Sequence, residues 1–233
     1  MPTSSPSTAV IIGASRGLGL ALVEEYLKRG WRVVATVRGS HPTNLHDLRD
    51  RSAGRLEIET VDVVKPETIA ALRQRLAARR FDVLFVVAGV GSGPSETIAT
   101  VSTEEFNRVM MTNALGPMRV VEALESLVSP NGVIGVMSSG LGSVANNASG
   151  GWEVYRASKA ALNTLMRSFA ARHASDRRGF VIIAPGWVRT DMGGPNAPLS
   201  VEDSIPGVVD AIASQAGRSD LRFLDRTGRE VPW

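Results

Sequence analysis

Cysteine is absent from the 233-residue chain, which excludes disulfides, thiolate catalysis and Cys-ligated metal sites. Histidine is scarce: His41, His46 and His173 are the only three, and their spacing matches no metal site. Aromatic residues make up 5%, with just two tyrosines, Tyr26 and Tyr155. No run reaches the roughly 18 apolar residues of a membrane span. Met1 to Thr8 has neither the positive region nor the apolar core of a signal peptide. The expectation is a soluble cytoplasmic chain with no membrane partner. An excess of one charge is also missing, since 26 basic and 23 acidic residues leave a net +3. Nucleic-acid binding wants basic residues clustered on one face or an aromatic platform, and neither is present, so no nucleic-acid partner is expected.

What the chain does have is apolar sequence, 43% of it, with hardly any low-complexity tract. Its length allows a substantial core. Ala9-Val10-Ile11-Ile12 is an apolar run too short for a helix and suited to a strand buried on both faces. A glycine turn follows, then an amphipathic helix to about Arg29, stopped by Gly30. Further strands are predicted at 31–37, 56–61, 81–87, 133–137, 180–184 and 221–224. Helices are predicted from Pro66 to about Arg80, from a capping box at Ser102-Thr103-Glu104-Glu105 to about Val128, through Tyr155 to before Gly179, and over about 201–215. Residues 40–52 are polar and helix-prone. Strands alternating with helices, with no linker between them, predict one doubly wound α/β domain over 1–233, with a parallel sheet of about seven strands flanked by helices.

A glycine turn between the first strand and a helix brings backbone N–H groups and a helix N-terminus up to a pyrophosphate. Here it reads Gly13-Ala14-Ser15-Arg16-Gly17-Leu18-Gly19, and the alternating chain around it supports a dinucleotide site. The end of the second strand bears on which dinucleotide. NAD wants an acid there for the ribose 2′-hydroxyl, whereas an Arg accommodates the 2′-phosphate of NADP. The strand ends at Arg38 with no acid before Asp47, and Arg16 sits in the turn, so NADPH is the expected cofactor. Asp62-Val63, past the third strand, stands where an adenine edge is met, or equally begins a helix cap.

Tyr155 and Lys159 are four residues apart and so share one face of a helix. A nearby ammonium lowers a phenol's pKa from about 10 and suits it to proton transfer with a carbonyl or alcohol oxygen. Ser138-Ser139 follow the fifth strand and Pro185-Gly186 the sixth, so three sites converge at the carboxyl ends of neighbouring strands. This ordered set resembles the classical short-chain dehydrogenase/reductase family over Thr8 to about Asp191. Its finer texture (Ser138 to Ser143, Gly150-Gly151-Trp152, Tyr155 to Leu162, Gly186 to Met192, Pro232-Trp233) is similar to the C-factor and sniffer-like carbonyl reductase branch.

The resemblance implies a Rossmann-type fold and a homodimer or homotetramer paired through the two long helices. It implies that Tyr155 is the general acid/base, that Lys159 lowers its pKa and bonds the nicotinamide ribose, that a Ser holds the substrate oxygen, and that Asn113 anchors a water in a proton relay. The family's Ser usually lies thirteen residues before the Tyr, where this chain has Gly142. The choice falls among Ser138, Ser139 and Ser143, with Ser139 favoured because it directly follows the strand. Val188 and Thr190, after Pro185-Gly186, match positions that contact the nicotinamide amide. Where the family usually reads Asn-Asn-Ala-Gly, this chain has Val86-Val87-Ala88-Gly89, a change expected to affect local stability and ribose positioning more than chemistry.

The activity so implied is NADPH-dependent reduction of a small-molecule ketone or aldehyde. Its pocket is expected from 92–97, 145–152 and 193–199, within a substrate loop at about 187–200, with Trp152 and Trp187 offering apolar contact. The competing reading is an NADPH-binding signalling or sensor protein of C-factor type with little turnover.

Overall fold

Strand and helix propensities resolve, in the computed structural model, into a three-layer sandwich; the structure describes residues 6–93 and 95–233. Seven parallel strands form one sheet: β1 (Thr8–Ile12), β2 (Arg32–Val37), β3 (Leu56–Thr60), β4 (Phe81–Val86), β5 (Val128–Met137), β6 (Gly179–Ala184) and β7 (Leu221–Asp225), in the order β3-β2-β1-β4-β5-β6-β7. The order reverses between β1 and β4, which opens a crevice at the carboxyl ends of those strands. The chain is thus a single Rossmann-type domain.

The period of two along each strand divides the core. Val10, Ile12, Leu84, Val86, Ile134, Val136, Phe180 and Ile182 face one helical layer, built from α3 (Pro66–Arg75), α4 (Thr103–Met110), α5 (Gly116–Leu124) and α6 (Glu153–Arg172). Ala9, Ile11, Val83, Phe85, Val133, Val181 and Ile183 face the other, built from α1 (Gly17–Lys28), α2 (Asn44–Arg51) and α7 (Val201–Ala213). Both faces being apolar explains why the strands read as unbroken hydrophobic runs.

α6 ends at Arg172, before Gly179 as expected. Two boundaries differ from expectation. The helix from Pro66 ends at Arg75, with turns carrying the chain to β4. β5 begins at Val128, pairs with Phe81 there, and shifts register before Val133. The rod from Thr103 is also not a plain α-helix. Met111–Leu115 form a π turn between α4 and α5. Pro117 has no N–H for the carbonyl four residues earlier, that of Asn113, and an inserted π turn absorbs the defect.

Candidate active site

A cleft of about 1640 Å³ opens over the carboxyl ends of β1, β2, β4, β5 and β6, larger than the roughly 300–1,000 Å³ typical of a small-ligand pocket. Its floor is the glycine turn. Gly13 has φ +91° and Gly17 φ +56°, values that favour glycine. A Cβ on Gly13 would lie 2.7 Å from the Ala88 nitrogen, and one on Gly19 would lie 2.1 Å from the Gly13 carbonyl oxygen. β1, α1 and the end of β4 approach too closely for any side chain there. Thr36 on β2 pins the turn: its hydroxyl accepts from Gly13 N at 3.0 Å and its carbonyl accepts from Ala14 N at 2.8 Å. α1 begins without a side-chain cap and with no acid in its first turn, so its free N–H groups and positive end face the cleft. That donor set and the space kept open by the glycines fit a dinucleotide pyrophosphate.

Ser15, Arg16, Leu18, Arg38, Asp62, Val63, Ala88 and Gly89 all line the same cleft. Arg38 is exposed at the end of β2. Arg16 is exposed too and donates to Asp191 at 2.9 Å, reaching from the turn to the segment after β6. Asp62 lines the cleft; its carboxylate accepts from Val64 N at 3.2 Å and its carbonyl from the Thr68 hydroxyl at 2.8 Å, while the N-cap of α3 is Lys65.

The proposed reacting residues come together at the far end. Ser138 is buried, and its hydroxyl donates to Asn163 Oδ1 at 2.7 Å. Ser143 is buried and accepts from Asn146 N. Ser139 alone of the three is half-buried beside Tyr155, its hydroxyl opposing the phenol and accepting from Leu141 N at 3.1 Å. Gly142, at the family's usual spacing, packs against Lys159. The structure thus brings Ser139, and neither Ser138 nor Ser143, to the phenol.

Burial raises the pKa of Tyr155, partly offset by Ser139. This corrects the expectation of a phenol held below its ordinary value by Lys159. The Lys159 Nζ lies 5.8 Å from the Tyr155 ring centroid and donates to the Met137 carbonyl at 3.0 Å. Burial lowers its own pKa to about 8.

Asn113 sits in the π turn, fully buried, with its side chain committed. Its Nδ2 donates to the Val90 carbonyl (2.8 Å) and the Ser158 hydroxyl (3.0 Å), while Oδ1 accepts from Val90 N (2.7 Å). The Ser158 hydroxyl donates in turn to the Tyr155 carbonyl at 2.7 Å, so Asn113 and Ser158 tie α6 to the end of β4.

Past β6, the Pro185 carbonyl accepts from the Ser204 hydroxyl and Gly186 takes φ +88°. Val188 is buried, and Thr190 accepts from Gly193 N at 3.1 Å. Arg189 donates to the Leu199, Ala197 and Pro198 carbonyls. The 187–200 segment therefore folds on itself instead of forming an open loop. Trp187 and Met192 remain exposed at the cleft mouth, 57% and 50%.

Of the expected pocket, Ser149, Gly150, Trp152 and Gly193 line the cleft. Among the described residues the wall is made by Gly91, Met111, Leu141, Ser149, Gly150, Trp152, Trp187 and Met192, not by 92–97 or most of 193–199; Pro94 lies outside the described residues. Arg189 closes 197–199 against itself through their carbonyls. Thr36, Asn163, Ser158 and Arg156 were not singled out from sequence. Thr36, Asn163 and Ser158 make hydrogen bonds across the fold, which no local spacing announces, while Arg156 bonds the loop just before it. Val86, by contrast, is simply a buried strand residue at 1% exposure, with Val87 N bonding the Ile12 carbonyl.

A cluster elsewhere has the composition of a cation site. Glu125, His173 and Asp176 lie within 4.8 Å of one another, but Arg178 donates to both carboxylates, which makes the cluster an ion pair.

Comparison with known proteins agrees with this geometry. The short chain dehydrogenase family profile matches residues 7–198. A crystal structure from Burkholderia multivorans, described as a short-chain dehydrogenase/reductase with bound NADP, superposes with a TM-score of 0.96 at 55% identity, covering 98% of this chain and 100% of that one. The carbonyl reductase Sniffer of D. melanogaster superposes with a TM-score of 0.91 at 29% identity, covering 98% and 100%. C-signal of Myxococcus xanthus is 39% identical over 65% of this chain and 92% of its own length.

Proposed function

The chain belongs to the short-chain dehydrogenase family, and on that premise we propose that it reduces a ketone or aldehyde to an alcohol, with NADPH as cofactor and Tyr155 as general acid. It is an NADP(H)-dependent oxidoreductase. The observation that carries the finer reading is that Ser139, Tyr155 and Lys159 line the same cleft as the uncapped start of α1, with the Lys159 Nζ 5.8 Å from the Tyr155 ring centroid.

NADPH, when bound, supplies the hydride. The N–H groups of the Gly13–Gly19 turn hold its pyrophosphate, and Arg16 and Arg38 its 2′-phosphate, with Arg16 leaving Asp191 to do so. Asp62 and Val63 face the adenine, Ala88 and Gly89 the ribose, and Val188 and Thr190 the nicotinamide end. As negative charge grows on the carbonyl oxygen, the Ser139 and Tyr155 hydroxyls stabilise it. A phenol whose pKa burial has raised stays protonated at neutral pH, which is the state a proton donor needs. Lys159, still largely charged at pH 7, stands behind Tyr155 to stabilise the phenolate left by proton transfer. The Asn113 carbonyl, with no Pro117 N–H to take, accepts a water from which the donor is reprotonated. Trp187 and Met192 lie at the substrate entrance. By analogy with the family the chain assembles as a homodimer or homotetramer through α4/α5 and α6, and works in the cytoplasm.

The likeness to C-signal supports a second reading, in which the chain binds NADPH as a signal with little turnover. Steady NADPH oxidation with a panel of ketones and aldehydes separates the two. Tyr155→Phe keeps the ring and removes the hydroxyl, so folding and NADPH affinity should survive. Reduction should fall about 10²–10⁴-fold, or about 2.7–5.5 kcal/mol of barrier. An active wild type whose Tyr155→Phe variant keeps near-full turnover would refute the assignment.

A further inference from the structure

Arg156, the residue after Tyr155, is 8% exposed and lines the cleft, yet among the described residues it has no carboxylate partner. It also sits in the first turn of α6, where the positive end of a helix disfavours a cation. A buried guanidinium set there without an acid is electrostatically costly, so fold stability alone gives poor reason for it. Its hydrogen bonds show what it holds. Nε donates to the Gly151 carbonyl at 2.9 Å; Nη2 donates to the Gly150 carbonyl at 3.1 Å and the Ser149 hydroxyl at 3.3 Å.

Those acceptors belong to a strained stretch. Gly150, Gly151 and Trp152 have φ +64°, +67° and +55° in succession. The left-handed region is costly for a residue as large as Trp. The conformation persists because Arg156 grips the two preceding carbonyls while its own N–H bonds the Trp152 carbonyl at 2.8 Å. What the loop presents as a result is the Trp152 ring, edge-on to Tyr155 with centroids 6.1 Å apart and lining the cleft.

We propose that Arg156 is a positioning residue for substrate selection. It fixes the Ser149–Trp152 loop so that Trp152 walls the space beside Tyr155 and receives the flat apolar substituent of an aryl ketone. This rests on the carbonyl-reductase reading. Leu141, Trp187 and Met192 line the same end of the cleft and add apolar surface. The forked guanidinium is essential because two carbonyls and a hydroxyl must be held together, which a lysine cannot reproduce.

The test compares an aryl methyl ketone with a small aliphatic ketone in the wild type, Arg156→Met, Arg156→Lys, Trp152→Ala and Arg156→Met/Trp152→Ala. The aryl-over-aliphatic ratio of kcat/KM should fall about three- to tenfold in Arg156→Met, the range expected for losing one placed aromatic contact. The fall should come through KM, with NADPH affinity retained. Arg156→Lys should fail to restore the ratio. Trp152→Ala should show the same loss, and the double variant no further loss, because the two act through one contact. A ratio unmoved by Arg156→Met, full rescue by Lys, or multiplicative losses in the double variant would overturn the role of Arg156. If Arg156→Met does not fold, Arg156→Lys and Trp152→Ala decide by the same ratio. A wild type idle on every carbonyl would instead sink the reductase reading itself.

Discussion

Lys159 is 3% exposed and holds its ammonium against the Met137 carbonyl. Burial has brought its pKa down to about 8 from the ordinary 10.5. Two consequences follow with opposite signs. The ammonium is lost from the folded protein as pH rises through about 8, so kcat/KM for NADPH, which reports the free protein, should fall above that pH. Between about 8 and 10.5 the unfolded chain binds more protons at this group than the folded one, so its contribution to stability rises with pH. Declining activity should therefore appear without a drop in melting temperature attributable to Lys159. A pH series of NADPH kinetics with parallel thermal melts checks this, and a flat kinetic profile from pH 7 to 9.5 would count against it. Spacing puts Tyr155 and Lys159 on one helical face, but it took the glycine turn, the serines after the fifth strand and the family resemblance to single them out. The direction of their pKa shifts was not legible, since it depends on how much of the fold closes over them. Ser139 was favoured on its place after a strand; what separates it from Ser138 is the Ser138–Asn163 bond, made 25 residues away in sequence.

Among the elements, the turn between β1 and α1 gains its shape from a neighbouring strand as much as from its own glycines. Thr36 occupies both Gly13 N and Ala14 N. Thr36→Val keeps the shape of the side chain but leaves a backbone donor without its partner, which costs about 1–3 kcal/mol when the donor stays dry. NADPH affinity should weaken by about 5- to 150-fold, read by fluorescence titration, while the far-ultraviolet dichroism stays unchanged. An affinity equal to that of the wild type would show that the glycines suffice. The order of strands and helices was legible here because each buried strand is a short apolar run bounded by turn residues. The π turn was not, although Gly116-Pro117 inside a helical stretch carried the signal. The early start of β5 was hidden by Ser129-Pro130-Asn131-Gly132, which reads as a turn but lies within the strand.

For the molecule as a whole, burial of both faces of one sheet forces helices onto both sides and leaves the carboxyl edge of the strands as the place where loops can gather around a ligand. The cleft there draws on residues from the glycine turn to Gly193, so a ligand filling it is coupled to the stability of most of the chain. A ligand that binds only the folded state at 100 times its dissociation constant adds about 2.7 kcal/mol. For a domain of this size each kcal/mol moves the melting temperature by about 2–4 °C, so saturating NADPH should raise it by about 5–11 °C. If Arg16 and Arg38 grip the 2′-phosphate, NADH at the same concentration should give a clearly smaller shift. Arg38→Asp should narrow or reverse that difference, because an acid there suits a ribose hydroxyl and repels a phosphate. Thermal melts of the two proteins with each cofactor read all four values. Equal shifts from NADPH and NADH in the wild type would remove the two arginines from the 2′-phosphate site, while leaving the glycine turn as the pyrophosphate site.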